Sequence, residues 1–93
     1  MEIEIKAKAL KTLDEVANFL ESLNTTGSGG RWLDKFFLRI QAYAKHNVVY
    51  ALCKNAKLAK RNFSCITFNN WVVAFQIIKG RLVIYEIIHG SLL

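Results

Sequence analysis

The chain has 93 residues, 53% of them hydrophobic, and a formal net charge of +6 at pH 7. This length predicts a single domain over residues 1–93 with one buried core. The charged N-terminal segment does not resemble a signal peptide, and no run of about 18 residues is apolar enough to span a bilayer, so we expect a cytoplasmic protein without a membrane segment.

The positive charge is concentrated in the last two-thirds of the chain. Residues 1–34 contain four basic and six acidic side chains, whereas residues 35–93 contain nine basic and one acidic. Such a surplus attracts polyanions and acidic proteins through long-range steering. The distribution therefore favours a nucleic acid or an acidic protein as partner. The alternative is a solvated basic surface that binds nothing specific.

The first elements are predicted to be a short strand and a helix. Residues 2–7 alternate polar and apolar side chains, which predicts a strand that joins a sheet with Ile3 and Ile5 facing inward. Residues 12–15, Thr-Leu-Asp-Glu, have the pattern of a capping box. A first helix is expected from there to about Leu23, with an apolar stripe formed by Leu13, Val16, Ala17, Leu20 and Leu23.

A glycine-rich link, Asn24 to Gly30, is predicted to join this helix to a second one. The link lacks the Gly-Lys-Ser/Thr ending of a phosphate-binding loop and connects two helices, so we expect no nucleotide site there. The second helix should cover about Arg31 to Lys45 and cap a sheet face. Its stripe comprises Leu33, Phe36, Phe37, Ile40 and Ala44, with Trp32, Arg39 and Tyr43 at the margin.

Residues 46–61 have a weaker pattern and are predicted to form a loop or a partial helix. The end of this stretch is basic and contains no acid. Its cations are the best candidates for contacts to phosphate or to carboxylates of a partner, and ordinary surface lysines are the alternative. The complete set of candidate nucleic-acid-binding or partner-binding residues is Lys54, Lys57, Lys60, Arg61, Gln76 and Arg81.

The two cysteines, Cys53 and Cys65, are predicted to be free thiols, because a small chain without an export signal is not expected to form disulfides. They do not form a metal-binding pattern with His46 and His89, since no close Cys-X-X-Cys or His-X-X-X-His pair occurs. We therefore expect neither a metal nor any other cofactor.

The most specific part of the chain is residues 62–93, which read as a three-stranded antiparallel meander. Strands are predicted at 63–68, 71–78 and 81–88, because these runs are rich in aromatic and branched apolar residues. The two-residue links Asn69-Asn70 and Lys79-Gly80 suit tight hairpin turns and fix the register. The predicted cross-strand pairs are Phe68–Trp71, Ile66–Val73, Ile77–Leu82 and Phe75–Ile84.

This register predicts one apolar sheet face for the helices and one mixed face for solvent or a partner. The apolar face is expected to carry Ile66, Phe68, Trp71, Val73, Phe75, Ile77, Leu82, Ile84 and Ile88, with Glu86 as its one polar exception. The mixed face is expected to carry Phe63, Cys65, Thr67, Val72, Ala74, Gln76, Ile78, Arg81, Val83, Tyr85 and Ile87. The order strand, helix, helix, three strands indicates an α+β domain with both helices on one face of the sheet.

This order, the length, the helical hairpin and the ending Ile87-Ile88-His89-Gly90-Ser91 resemble the RelE/ParE superfamily of toxins from bacterial type II toxin–antitoxin modules. Residues 71–90 look like the family's paired "tyrosine-arginine-valine-X-tyrosine" and "isoleucine-X-histidine-glycine" strands. The resemblance implies a small basic toxin that is neutralised by the tail of a cognate antitoxin. It also implies one of two activities, which are ribosome-dependent mRNA cleavage in RelE-like members and inhibition of DNA gyrase in ParE-like members.

The nuclease activity needs a base for the 2′-hydroxyl, cations for the phosphorane and an acid for the leaving oxygen. In RelE-like toxins an arginine lies early in the middle strand and an arginine or aromatic residue near the end, but this chain has Val72 and Leu92 there. The first strand offers Ser64, Cys65 and Thr67 in place of lysines. The candidate catalytic residues that remain are Lys60, Arg61, Arg81, Tyr85 and His89.

The His-Gly pair after the last strand is closer to the ParE-like pattern, in which toxicity follows from binding a protein target. The basic residue that usually follows this pair is missing here, where the chain continues as Ser91-Leu92-Leu93. Because the His-Gly pair favours the ParE-like pattern and most of the nuclease residues are missing, we predict a ParE-like toxin that binds a protein such as DNA gyrase. A metal-independent mRNA endonuclease and a non-toxic basic nucleic-acid-binding domain are the alternatives.

Four residues of the last strand have specific predicted roles. His89 is either an acid–base group or a cap on the strand end, and Gly90 is expected to adopt a conformation closed to other residues. Tyr85 is expected either to stack on a base or donate a proton, or to be half-buried in the sheet. Glu86 is expected at the rim of the apolar face with a lysine such as Lys6, because an unpaired buried carboxylate is costly.

Overall fold

Two helices cover one face of a four-stranded sheet in the computed structural model, which describes residues 1–46 and 48–93. The elements in chain order are β1 (Glu2–Ile5), α1 (Ala7–Leu23), α2 (Ser28–Ala44), α3 (Ala56–Lys60), β2 (Ser64–Phe68), β3 (Trp71–Ile78), β4 (Arg81–His89) and a 3₁₀ turn (Gly90–Leu92). The predicted α+β architecture is confirmed. Within the described residues, no helix has the length and apolar character needed to cross a membrane.

The sheet has the strand order β1-β4-β3-β2. β2, β3 and β4 form the predicted antiparallel meander, and all four predicted cross-strand pairs occur. The turns close as expected, because Asn69 (φ 52°), Lys79 (φ 50°) and Gly80 (φ 74°) have the left-handed backbone that two-residue hairpins require. β1 joins the sheet at its edge, parallel to β4, with Ile3 opposite Leu82.

A β-bulge in β4 changes which of its side chains face the helices. Phe75 of β3 lies opposite Ile84, but the preceding Ala74 lies opposite Glu86, so Tyr85 is an extra residue on β4. A bulge of this kind breaks the strict alternation of faces along a strand. The side chains that follow Tyr85 are therefore on the opposite faces from those that simple counting predicts.

Three predicted orientations are wrong for this reason. Ile87 belongs to the core under the helices, where it is 6% exposed, and Ile88 packs against the cluster on the other face. Glu86 pairs with Ala74, so it also lies on the face away from the helices. The apolar sheet face therefore carries no acidic residue from β4.

The main core lies between the helices and the sheet. α1 and α2 each bury one stripe there, and the sheet buries the apolar face of the meander. The central buried residues are Ala9, Leu13, Phe36, Ile40, Ala44, Ile66, Val73, Phe75, Leu82, Ile84 and Ile87. Rings meet edge to face across the layers, with Phe36 and Phe68 centroids 5.6 Å apart. The α2 stripe is confirmed, but Leu23 at the end of the predicted α1 stripe is 64% exposed.

Both helices begin earlier than their sequence patterns predict. α1 begins at Ala7 because Lys6 still belongs to the sheet edge, where its N–H donates to the Ile84 carbonyl at 2.9 Å, and the chain turns directly into the helix. Thr12 lies within the helix and its hydroxyl donates to the Lys8 carbonyl, so it is not the helix cap. α2 begins at Ser28, inside the glycine-rich link.

A carboxylate from α1 explains the early start of α2. Glu21 Oε2 accepts from the Gly27 N–H at 2.6 Å and Oε1 accepts from the Gly29 N–H at 2.9 Å. These N–H groups have no acceptor within their own helix, and the N-terminus of a helix favours a negative charge. The two backbone hydrogen bonds also hold the pKa of Glu21 below its ordinary value.

The first turn of α2 packs tightly against α1 at Gly29. A Cβ at this position would overlap the Ala17 carbonyl oxygen, which is backbone and cannot swing away. We expect Gly29→Ala to destabilise the protein by roughly 1–3 kcal/mol through overpacking. Gly30→Ala is the matched control, because a Cβ there meets nothing within 4 Å. Urea unfolding measures both, and a Gly29→Ala protein as stable as the wild type would contradict the close contact.

Candidate functional site

The sheet face away from the helices is partly covered by residues 53–63, which we call the covering segment. This segment contains α3 and packs a second, smaller apolar cluster onto the sheet. The buried members of the cluster are Cys53, Leu58, Phe63 and Ala74, and the partly buried ones are Cys65, Val72, Tyr85 and Ile88. The predicted mixed face is thus an interface within the chain over much of its area.

Cys53 and Cys65 form a disulfide, so the prediction of free thiols is wrong. The covering segment folds back on itself, with the Cys53 N–H donating to the Phe63 carbonyl at 2.9 Å, and this brings the two Cα atoms to 5.0 Å. That distance lies within the range that a disulfide spans. In the chain-entropy account, closing a loop of this size stabilises the fold by about 3 kcal/mol.

Glu86 is the buried charged residue of the described chain, at 7% exposure, and it holds two cations. Lys8 from the first turn of α1 donates to its Oε1, and Arg61 Nη1 donates to its Oε2 at 2.8 Å. The hydrogen bond from Lys8 and the positive charge of Arg61 lower the pKa of Glu86, against the opposing effect of burial. The predicted partner Lys6 instead pairs with Glu4 at 2.7 Å.

The five candidate catalytic residues do not converge on one point. Arg81 and His89 occupy opposite ends of β4, eight residues or about 26 Å apart along an extended strand. Arg81 Nη1 donates to Glu4 Oε1 at 2.8 Å and is thereby tied to β1. Lys60 ends α3 with an exposed side chain. No phosphodiester can contact the whole set at once.

His89 has the capping role that was one of its two predicted functions. Its Nδ1 accepts the Ser91 N–H at 3.3 Å, and its ring lies edge-on to Trp71 with centroids 5.0 Å apart. Gly90 does not have a positive φ, so the predicted conformation closed to other residues is not found there. Its N–H donates to the Asn70 carbonyl at 2.7 Å, and this hydrogen bond holds the end of β4 against the turn between β2 and β3.

Tyr85 and Arg61 are the two catalytic candidates that the fold does bring near each other. The Tyr85 ring packs on Phe63 with centroids 5.3 Å apart, and the Arg61 guanidinium lies 4.7 Å from the Phe63 ring centre. The Lys6 ammonium lies 5.9 Å from the centre of the Tyr85 ring. Arg61 thus makes a cation–π contact within the covering segment, with Phe63, and Lys6 makes one with Tyr85 on the sheet.

Three of the six candidate binding residues face solvent without a counter-charge. Lys54, Lys57 and Lys60 are exposed, and none has a carboxylate partner within residues 1–46 and 48–93. Arg61 and Arg81 are engaged with Glu86 and Glu4. The remaining candidate, Gln76, donates its amide to the Arg61 carbonyl at 3.1 Å, so it holds the covering segment in place.

An apolar groove beside α1 was not predicted from the sequence. Phe19 and Leu23 are 60% and 64% exposed on neighbouring turns of the helix. A cavity of about 360 Å³ continues from Phe19 to the two tryptophans Trp32 and Trp71. The available signal was Phe19, a large apolar residue outside the predicted stripe, which has Leu23 four residues further on the same side of the helix.

No protein-family model matches this chain, and no curated protein matches its sequence. The RelE/ParE resemblance therefore remains a prediction based on the residues that suggest it. Within the described residues, no group of three or more His, Cys, Asp or Glu side chains is placed to hold a metal ion.

The Glu86 ion pairs should make stability depend on pH. Because the folded pKa is lowered, the carboxylate stabilises the fold above the unfolded pKa of about 4.3 and loses this effect as pH falls through the folded value. We expect Glu86→Gln to cost roughly 1–3 kcal/mol at pH 7 and to weaken the pH dependence below about pH 5. Denaturant unfolding between pH 7 and pH 3 measures both effects.

Glu4→Gln is the control, since Glu4 also pairs with two cations but lies at the exposed sheet edge. Exposed pairs contribute less than buried ones. A Glu4→Gln protein that loses more stability at pH 7 than Glu86→Gln would contradict the assignment of Glu86 as the central ion pair.

Proposed function

We propose that this chain is the toxin of a type II toxin–antitoxin module, that it acts in the cytoplasm, and that it is ParE-like in binding a protein target such as DNA gyrase. A cognate antitoxin would neutralise it. The observation that carries the proposal is the separation of Arg81 from His89 along β4. Candidate residues this far apart cannot act on one phosphodiester, so the arrangement supports binding of a protein target better than RNA cleavage.

The side chains near each candidate argue against the nuclease alternative. General acid–base catalysis needs a base and an acid within hydrogen-bond reach of the same substrate. Tyr85 and Arg61 lie together, but the nearest carboxylate, Glu86, is neutralised by Lys8 and Arg61, and its pKa is lowered. A carboxylate with a lowered pKa is a poor general base at neutral pH. His89 accepts the Ser91 N–H at Nδ1 and lies at the opposite end of β4 from Arg81, so its imidazole and that cation do not act on the same phosphodiester.

Two exposed surfaces support a protein-binding role. The apolar groove beside α1 presents Phe19 and Leu23 to solvent, and large exposed apolar side chains grouped in this way are typical of protein-interaction sites. The uncompensated Lys54, Lys57 and Lys60 would suit the carboxylates of an acidic antitoxin tail. The proposal therefore assigns target and antitoxin to chemically different surfaces.

Inducible expression in bacteria tests the proposed activity. We expect growth arrest, inhibition of DNA supercoiling by purified gyrase, and intact cellular mRNA. Arrest accompanied by mRNA cleavage that Arg81→Ala or His89→Ala abolishes would instead establish the endonuclease. Normal growth at high expression, with no effect on gyrase or mRNA, would refute both toxin activities and leave the basic nucleic-acid-binding domain.

Charge reversal of the exposed lysines tests the antitoxin surface. The neighbouring reading frame, if it encodes a short acidic protein, supplies the antitoxin for a binding assay. We expect the triple variant Lys54→Glu, Lys57→Glu and Lys60→Glu to weaken binding at least tenfold, because like charges then face each other.

A second triple variant, Lys11→Glu, Lys35→Glu and Lys45→Glu, changes the net charge equally on exposed residues of α1, of α2 and at the C-cap of α2. It should bind the antitoxin much more strongly than the first variant. Equal losses in the two variants would show that only the total charge matters, and no loss in either would exclude the covering segment from the interface.

A further inference from the structure

The two cysteines of the disulfide differ in their exposure to solvent. Cys53 is 7% exposed within the small apolar cluster, whereas Cys65 is partly exposed on β2, the outer strand of the sheet. Both line an open cavity of about 470 Å³ together with Lys54 and Thr67. A small thiol can therefore approach the bond from solvent without prior unfolding of the domain.

The covering segment is held unevenly along its length. At the Arg61 end, Arg61 pairs with Glu86 at 2.8 Å, and its carbonyl accepts from Gln76 at 3.1 Å. At the Cys53 end, the sulfur bridge is reinforced by one backbone hydrogen bond, from Cys53 to Phe63. Between the ends, Leu58 is the one buried side chain of α3.

We propose that Cys53–Cys65 is a thiol–disulfide exchange site that acts as a reducible clasp, so that a dithiol reductant releases the covering segment from the sheet while the helix–sheet core stays folded. Segments with few buried apolar contacts open at low free energy. The clasp constrains such a segment, and its exposed position makes it available to a reductant.

The exchange follows from the positions of the two sulfurs. A thiolate of the dithiol attacks Cys65 Sγ, a new S–S bond forms there, and Cys53 leaves as a thiolate that takes up a proton. The ammonium of Lys54, which lines the same cavity, favours the departing negative charge. The second thiol of the dithiol then displaces Cys65, which leaves two thiols on the protein and an oxidised, cyclic dithiol.

The concentration dependence of reduction distinguishes direct attack from attack limited by a slow opening of the protein. With dithiothreitol as the probe, we expect the rate for the folded protein to rise about tenfold over a tenfold increase in concentration. A rate independent of concentration would overturn the proposal, because the bond would then be reached only after a slow opening of the protein. Two free thiols in protein purified under air would overturn it as well.

The mixed disulfide that forms with a monothiol shows which of the two protein sulfurs the thiolate attacks. Glutathione has no second thiol to complete the exchange within one molecule, so the mixed disulfide can be trapped by acid quenching and alkylation, and peptide mapping locates the adduct. We expect the adduct on Cys65, the partly exposed residue. An adduct predominantly on Cys53 would contradict the direction of exchange and the accessibility on which the clasp depends.

Hydrogen exchange measures what reduction releases. We expect amides of residues 54–60 to exchange at least tenfold faster after reduction, with β3 and α2 unchanged, and the melting temperature to fall by on the order of 10 °C. The double variant Cys53→Ser and Cys65→Ser should behave as the reduced protein and ignore dithiothreitol. Unchanged exchange in residues 54–60, or lost protection in β3 and α2, would overturn the proposal.

Discussion

The extra residue Tyr85 in β4 decides where the one acidic side chain of residues 35–93 lies. Without the bulge, alternation along β4 would direct Glu86 toward the helices, where a buried carboxylate needs partners that the apolar core does not offer. With the bulge, Glu86 faces the other way. It lies just beyond the end of β1, whose pairing with β4 stops at Ile84, and can therefore be reached from α1 as well as from the covering segment.

The ion pairs of Glu86 join parts of the chain that share no hydrophobic cluster. Lys8 belongs to α1, which packs on the apolar face, and Arg61 belongs to the covering segment on the opposite face. A buried carboxylate loses its hydration, and either cation alone would compensate only part of that desolvation cost. The site is therefore specific for an arrangement in which Lys8 and Arg61 both reach Glu86. The position of the covering segment is therefore coupled to that of α1 through a single side chain.

The parts of the fold that the sequence predicts are those determined by neighbours along the chain. The register of β2, β3 and β4 follows from two-residue turns, and the α2 stripe follows from helical spacing around Phe36 and Ile40. The start of α2 was missed because its cap, Glu21, comes from another helix. The bulge at Tyr85 was missed because strict alternation was counted along β4, and the disulfide was missed because free thiols were inferred from the lack of an export signal, without the fold-back that brings Cys53 to Cys65.

The arrangement of the candidate site residues could also be predicted only in part from the sequence. That Arg81 and His89 lie far apart could have been counted from the length of β4, whereas the engagement of Gln76 with the covering segment required its tertiary position. Exposure of Lys54, Lys57 and Lys60 followed from the absence of acids in the local sequence. Their lack of partners is a property of the fold, since Glu86 is occupied by Lys8 and Arg61.

The clasp and the charged surface belong to the same segment, and this links redox state to binding. A partner that contacts Lys54, Lys57 and Lys60 in the closed arrangement stabilises that arrangement by its own binding free energy. By thermodynamic reciprocity, a closed clasp strengthens such a partner's binding by the same factor. If a partner binds the closed arrangement, we therefore expect it to bind more tightly when Cys53 and Cys65 are joined, and reduction of the bond to weaken that binding without altering any of the three cations.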